Sequence, residues 1–453
     1  MGARSRKKPA VLVVINSAHA FPRMTSFINV LKNEFQFIVL DYRMVGQRQG
    51  LFLDEDIDVR LVQGGVDPKS ALFSVVRRVL KPRADSESSE ETSCLNKAGH
   101  HSNSRTLTGI FSRLAVGLNR IFYSFFLWPD SHMRAVKKLR AAGSEIIANN
   151  DIELIITSSP YNSVNCVGQY LAKRSGIKWV ADLRDGWSTN HFYPGLGLRQ
   201  HVDRYVEKHY LSWADRIVTV DESVAKDLAG LHQKTSVSVV PNGYMSAGDL
   251  SSQELGVTEG PLRILYTGAL YYPEQDPTLL FDALGNLVKK GLCGENDVEV
   301  AFVGSSGASI NRTFQLNDFE IPVIDYGIRE WDFVQQLQAS SDVLLVFGWS
   351  NPKVSEIYPL KFYEYLPWSR PILVVGGGKS NAGLERILTD VGGGSVCTSV
   401  EAVENAVVRL LAEKRTAVNR QSVRNLRRVK KYSLASRAQE FRQVMDETIN
   451  ERH

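Results

Sequence analysis

Long hydrophobic runs are missing from this sequence. No apolar run reaches the roughly 18–20 residues that a membrane-spanning helix needs. The basic start, Met1 to Lys8, is followed by a short β-branched run, Ala10 to Ile15, and not by the longer apolar stretch of a signal peptide. We therefore expect no export signal and a cytoplasmic location.

Cysteine is also scarce, and its spacing matches neither a disulfide framework nor a metal site. The four residues are Cys94, Cys166, Cys293 and Cys397. The paired His100 and His101 have no further ligands at metal-site spacing. We therefore expect no metal and no cofactor. The net charge of +5 is mild, so we expect no nucleic-acid partner.

A glycine fingerprint is absent from the first loop. The loop that follows the apolar run Val11 to Ile15 lacks G-x-G-x-x-G, which argues against a dinucleotide site at the N-terminus. The loop does carry His19 and Arg23, where a strand-end loop would face a cleft. We expect both on the acceptor side of that cleft, and an ordinary polar loop is the alternative.

What the sequence does have is a repeated alternation of short apolar runs and helical stretches. At 453 residues, with 43% hydrophobic and 23% charged residues, it predicts a globular protein of two or three domains. The alternation predicts parallel strands joined by helices, and it restarts near Arg263. We therefore predict two doubly wound α/β domains, residues 1–250 and 251–430, with a disordered polar insertion near 84–108.

Charged residues follow one predicted strand of the first half. The run Lys178 to Ala181 ends in Asp182-Leu183-Arg184-Asp185-Gly186-Trp187. Open α/β sheets bind ligands beyond the carboxyl ends of their strands, and buried charges need partners. Asp185 is therefore a candidate to act on an acceptor hydroxyl, and Arg184 is a candidate to hold an anion. A purely structural Asp–Arg pair is the alternative.

A second candidate site follows the apolar run Val343 to Phe347. A short helix is predicted to begin near Tyr358 or Pro359, where its free N–H groups and Lys361 suit a phosphate. The carboxylates of Glu356 and Glu364 suit hydroxyl groups. This pattern indicates a site for a phosphorylated sugar or a nucleotide, and a solvated loop and helix face is the alternative.

Two basic, amphipathic stretches flank the polar insertion. They are Ser70 to Arg83 and the aromatic-rich Gly109 to Trp128. Such helices can lie in the interface of an anionic membrane, or they can pack their apolar faces on the sheet. An anionic membrane surface is therefore a candidate partner, with the protein peripheral on the inner membrane face.

Several short segments, in this order, resemble glycosyltransferase family 4 and its relatives, which have the GT-B fold. The segments are Ser158-Ser159-Pro160, Val180 to Trp187, Ala214-Asp215-Arg216-Ile217, Val240-Pro241-Asn242-Gly243, Tyr266-Thr267-Gly268 and Lys361 to Leu366 leading to Arg370-Pro371-Ile372-Leu373. Glu356 and Glu364 match the family's E-x7-E spacing. The resemblance covers most of the chain outside Asp85 to Thr108.

The resemblance implies roles for individual residues. Glu364 would bind the ribose hydroxyls of a nucleotide-sugar donor, Glu356 would face the sugar, and Lys361 would hold the diphosphate. The donor-binding set is completed by Tyr358, Gly268 and Gly304. The resemblance also implies a metal-independent, retaining transfer, and a final helix, residues 431–453, that crosses back to the N-terminal domain.

The sequence therefore predicts a GT-B glycosyltransferase that moves a sugar from a nucleotide diphosphate to a hydroxyl of a glycan or lipid-linked acceptor in surface polysaccharide synthesis. One departure leaves alternatives open. Family members often carry Arg and Lys shortly after the glycine that matches Gly268, whereas Ala269 to Gln275 contains neither. A non-catalytic binding protein on a degenerate GT-B fold is one alternative, and a sugar-nucleotide epimerase or phosphorylase is another.

Overall fold

The structure is a computed structural model. It describes residues 7–16, 22–45, 53–66, 129–130, 132–190, 197–245, 260–304, 321–350, 357–416 and 424–451. Predictions for His19, Glu356, the two basic stretches and the polar insertion lie outside the described residues. The sequence also predicts a polar linker between the domains over Ser246 to Gly260, and most of it lies outside them too.

Within the described residues, the N-terminal half forms one parallel sheet of seven strands in the order β3-β2-β1-β4-β5-β6-β7. The strands are β1 Ala10–Ile15, β2 Gln36–Val45, β3 Asp58–Val66, β4 Ile152–Ser159, β5 Lys178–Leu183, β6 Arg216–Thr219 and β7 Ser236–Val239. Every residue of β1 is buried, because helices cover both faces of the sheet. Continuous apolar runs are therefore what the central strands require.

The C-terminal half forms a second parallel sheet, of six described strands in the order β10-β9-β8-β11-β12-β13. The strands are β8 Leu262–Thr267, β9 Val298–Val303, β10 Val323–Asp325, β11 Val343–Gly348, β12 Ile372–Gly376 and β13 Gly394–Cys397. In both sheets the strand order reverses beside the first strand, so each half is doubly wound. The prediction of two Rossmann-like doubly wound domains is confirmed.

Helices connect the strands and pack on both faces of each sheet. They are α1 Arg23–Leu31, α2 Val136–Asn149, α3 Ser163–Ser175, α4 Gly197–Leu211, α5 Glu222–Leu231, α6 Thr278–Lys289, α7 Trp331–Ser340, α8 Leu360–Tyr365, α9 Ala382–Val391, α10 Val400–Arg415, α11 Leu426–Lys430 and α12 Leu434–Asn450. Searched over the described residues, no helix has the length and the apolar character needed to cross a membrane.

Two predicted helices have different limits. The helix predicted from Asp130 begins at Val136, after a 3-10 turn. The buried Asp130 carboxylate instead accepts hydrogen bonds from the backbone N–H groups of His132, at 2.8 Å, and Ser163, at 2.7 Å. The final helix predicted over residues 431–453 begins at Leu434, because Ser433 caps it, and the short helix α11 precedes it.

The last helix belongs to the core of the N-terminal half. The Phe441 ring of α12 lies 5.2 Å from the Phe27 ring of α1, and both side chains are buried. Before α12 begins, the chain passes beside the end of the N-terminal half, where Tyr244 and Ser433 form a parallel bridge. A Cβ atom on Gly243 would lie 2.6 Å from the Tyr432 carbonyl oxygen, so the two segments meet closely.

Candidate functional site

The C-terminal wall of the site is formed by glycines at the ends of strands β8 and β9. Gly268 and Gly304 adopt positive φ angles of 99° and 123°. A Cβ atom on Gly304 would lie 2.6 Å from the Gly268 carbonyl oxygen. A side chain is therefore excluded at Gly304, because the two strand-end loops pass close to each other. The structure places both predicted glycines at one sheet edge.

Lys361 lies on α8, directly beside the Gly268 loop. Its Nζ atom donates hydrogen bonds to the Tyr266 hydroxyl and, at 3.2 Å, to the Ala269 carbonyl oxygen. It also sits 3.8 Å above the centre of the Tyr266 ring. A Cβ atom on Gly268 would be 3.3 Å from the Nζ atom. The loop that lacks Arg and Lys is thus next to an ammonium group supplied by another element.

Burial dominates the electrostatics of Lys361 and Glu364. Loss of water lowers the pKa of Lys361 to about 7, and the nearby carboxylate of Glu364 only partly opposes this shift. Burial likewise raises the pKa of Glu364 to about 7. Both groups therefore titrate near neutral pH, and an anion at Lys361 would favour its charged form.

Glu364 faces a cavity of its own. The cavity has a volume of about 160 Å³ and lies between α7, α8 and the segment that ends the N-terminal half. Its wall includes Trp331 and Gln335 of α7, together with Tyr244 and Trp368. An apolar wall with one carboxylate and two amide side chains, those of Gln335 and Gln338, suits a flat, polar-edged ligand group.

The opposite wall of the cleft carries Arg184 and Asp185. Both follow β5 and line a second cavity, of about 170 Å³, with Asp221 and Asn242. Tyr358 lines the same cavity from the C-terminal half. Tyr358, which was predicted to bind the donor, therefore shares a cavity with Arg184 and Asp185. Its ring also packs against Gly383, where a Cβ atom would meet the tyrosine hydroxyl at 2.1 Å.

Arg23 does not reach the cleft as predicted. Its side chain is only 1% exposed, its guanidinium pairs with Asp182 at 3.3 Å, and it donates to the Pro241 carbonyl oxygen at 2.9 Å. The reason is that Asp182 is itself fully buried and needs a compensating cation. Arg23 therefore stabilises the end of β5 in this structure, and its acceptor-side role stays a prediction.

Sequence reasoning missed Arg424 as part of the site. The buried guanidinium donates hydrogen bonds to carbonyl oxygens at and beyond the end of α8. The distances are 2.7 Å to Tyr365 and 2.9 Å to Leu366, and the other partners are Trp368 and Arg370. Burial lowers the pKa of Arg424 to about 9. Because these partners lie 54–59 positions away, no local pattern could reveal them.

The described residues contain no cluster of three or more His, Cys, Asp or Glu side chains that could hold a metal ion. The chemistry that these residues offer near the Gly268 loop is therefore that of an ammonium group, backbone groups and a carboxylate. Such a set binds an anion and hydroxyl groups.

Comparison with known proteins gives a family match and a fold match. A family model described as Glycosyltransferase Family 4 matches residues 92–245. The solved glycosyltransferase from Rickettsia africae has a TM-score of 0.59 at 13% identity, covering 99% of this chain and all of that chain. Anabaena Alr3699/HepE in complex with UDP-glucose has a TM-score of 0.54 at 14% identity, covering 96% and 99%.

A third solved structure, the apo form of the lipopolysaccharide outer core galactosyltransferase WaaB, has a TM-score of 0.51 at 12% identity, covering 96% of this chain and 99% of that chain. No curated protein sequence matches the chain. The fold is GT-B, and the resemblance to glycosyltransferase family 4 is confirmed. Family match and fold together support the class of GT-B glycosyltransferases.

Proposed function

We propose that the protein transfers a hexosyl group from a nucleotide-diphosphate sugar to a hydroxyl of a glycan or lipid-linked acceptor, with retention of configuration and without a metal ion. The observation that carries this proposal is the position of Lys361 beside Gly268, with Glu364 on the same helix. The neighbour Alr3699/HepE was solved with UDP-glucose, which is consistent with a uridine nucleotide as the donor.

The geometry supports the following roles for these residues. The Lys361 ammonium would stabilise the negative charge that grows on the departing diphosphate, and the glycine edge would let the phosphates approach the backbone. The Glu364 carboxylate would accept hydrogen bonds from ribose hydroxyls, with the base against the Trp331 side of the adjoining cavity. Positioning and electrostatic stabilisation then supply most of the catalysis.

The acceptor would bind on the opposite wall. Asp185 is the candidate to receive a hydrogen bond from the acceptor hydroxyl, and Arg184 is the candidate to hold an anionic group of the acceptor. Glu356 and His19 keep their predicted roles as proposals, at the sugar and on the acceptor side. A role in surface polysaccharide synthesis and a peripheral membrane location are parts of the same proposal.

The test is donor binding by the wild type and by Glu364→Ala. A ligand present at a hundredfold excess over its Kd stabilises the native state by about 2.7 kcal/mol. We expect one nucleotide and its sugar conjugate to raise the melting temperature of the wild type, and the shift to be lost in Glu364→Ala. Glu385→Ala, which removes an exposed carboxylate from α9, is the matched control and should keep the shift.

Two outcomes would favour the alternatives. If no nucleotide or nucleotide sugar shifts the wild-type melting temperature, the non-catalytic binding protein becomes the better description. If the sugar nucleotide is converted without any acceptor, product analysis would identify an epimerase, and a requirement for inorganic phosphate would identify a phosphorylase.

A further inference from the structure

Helix α4 buries its charged face. The side chains of Arg199, Asp203 and Glu207 recur every four residues and are 7%, 1% and 0% exposed. Arg199 Nε lies 2.8 Å from Asp203 Oδ1. The Glu207 carboxylate accepts hydrogen bonds from the backbone N–H, at 2.9 Å, and the hydroxyl of Ser188. These charged side chains find their partners within the domain, so the buried face of α4 is part of the domain's packed interior.

The opposite face of α4 is open and carries three exposed apolar side chains beside the exposed His201 and His209. Leu198, Val202 and Tyr205 lie on one side of the helix and are 80%, 48% and 75% exposed. Trp213, two residues beyond the end of α4, is 43% exposed. An ordinary surface helix buries its apolar stripe against the core, whereas α4 buries charged side chains and exposes apolar ones.

The exposed part of α4 is also strongly asymmetric in charge. Both acidic residues of the helix, Asp203 and Glu207, are buried, whereas Arg204 and Lys208 are exposed on one flank of the apolar stripe. Lys173, from the end of α3, lies 4.7 Å from the centre of the Trp213 ring. Cations thus lie beside exposed apolar and aromatic side chains both on α4 and at Trp213.

We propose that this surface, defined by Leu198, Val202, Tyr205, Trp213, Arg204 and Lys208, docks the protein on an anionic lipid bilayer. An apolar stripe flanked by cations is the pattern of a helix that lies in the plane of a membrane interface. Tyr and Trp side chains suit that depth, because one end is apolar and the other is polar. The residues of this surface belong to neither Ser70 to Arg83 nor Gly109 to Trp128. The inference deepens the peripheral location proposed above, and it does not depend on transferase activity.

Charge favours a bilayer over a second copy of the chain. A two-fold dimer would place the same patch on both partners. That arrangement would bring the Arg204 and Lys208 side chains of the two copies to one interface, where like charges repel. An anionic lipid surface attracts the same cations and accepts the apolar stripe.

The test is sedimentation of the full chain with vesicles of phosphatidylcholine containing 30% phosphatidylglycerol, compared with phosphatidylcholine alone. We expect binding to the anionic vesicles only. Each cation near the surface contributes roughly fivefold to the partition coefficient. Arg204→Ser with Lys208→Ser should therefore weaken binding roughly 25-fold. Leu198→Ser with Tyr205→Ser should weaken it roughly tenfold or more.

The matched control is Lys289→Ser with Leu292→Ser, at the exposed end of α6 in the C-terminal half, which should leave binding unchanged. Melting temperatures check that each variant is folded. The proposal is overturned if neither α4 variant changes pelleting, if the control loses binding equally, or if neutral vesicles bind as well. A concentration-dependent dimer lost in Leu198→Ser with Tyr205→Ser, without any change in vesicle binding, would assign the surface to self-association.

Discussion

Lys361 and Glu364 make donor binding depend on pH near neutrality. With a pKa of about 7 in the free site, Lys361 is half charged at pH 7 and loses its charge as the pH rises. A bound diphosphate favours the ammonium form and the ribose hydroxyls favour the Glu364 carboxylate. With both pKa values at about 7, the Kd of a nucleotide sugar should therefore rise roughly threefold between pH 7 and pH 8. Glu364 also has a pKa of about 7, and its protonation should weaken binding as the pH falls from 7 to 6.

Isothermal titration with the nucleotide sugar measures this profile, because its diphosphate diester does not titrate in the range. The affinity should therefore pass through a maximum near pH 7. Lys361→Met should remove the alkaline limb, and Glu364→Gln should remove the acidic limb. An affinity that stays constant from pH 6 to pH 8.5 would be incompatible with these two groups binding the donor.

At the scale of single elements, Arg424 controls the position of α8. Four carbonyl oxygens at and beyond the end of this six-residue helix accept hydrogen bonds from one guanidinium group. A lysine at position 424 keeps a positive charge but has a compact head that cannot match the planar array. Arg424→Lys should lower the melting temperature and weaken donor binding roughly tenfold, because Lys361 and Glu364 move with α8.

Arg427→Lys is the control for that prediction, since Arg427 is exposed on α11, three residues away. The melting temperature and the donor Kd should both remain at wild-type values in this variant. Arg424→Lys with unchanged donor affinity but reduced stability would restrict Arg424 to a purely structural role.

The elements that the sequence predicted well are those with a local signal. Strands β11 and β12 are continuous apolar runs, and their limits in the structure agree with the runs. The donor-side helix begins at Leu360, directly after Pro359, close to the predicted start. Local composition is sufficient in these cases because a strand buried on both faces must be apolar throughout.

Other features could not be predicted because their partners are distant in sequence. Arg23 is buried because it pairs with Asp182, and this partner lies 159 positions away in the sequence. A helical pattern also does not say which face is inside, and α4 places its charges there. Its Glu207 carboxylate finds a partner in Ser188, 19 positions earlier in the chain. Long-range pairing, and not local propensity, decides such cases.

At the scale of the whole molecule, the chain ends in the domain where it began. Helix α12 follows the C-terminal sheet in sequence, yet Phe441 packs with Phe27 and with Val11 and Val13 of β1 in the buried core on one face of the N-terminal sheet. The Tyr244 N–H donates to the Tyr432 carbonyl oxygen at 3.0 Å, so the two segments that run between the halves are bonded to each other. The stability of the N-terminal half therefore depends on the far end of the sequence.

Phe441→Ala should therefore destabilise the N-terminal half by about 3–5 kcal/mol, the usual cost of emptying a large aromatic site in a core. Hydrogen exchange should show faster exchange in β1 and α1, while β8 and β9 keep their protection. Phe281→Ala, in the core of the C-terminal half, should give the reverse pattern. Faster exchange in β8 with unchanged α1 after Phe441→Ala would contradict this assignment. Because α12 contacts α1, β4 and β5, we expect it to unfold together with the N-terminal half, as a unit separate from the C-terminal half.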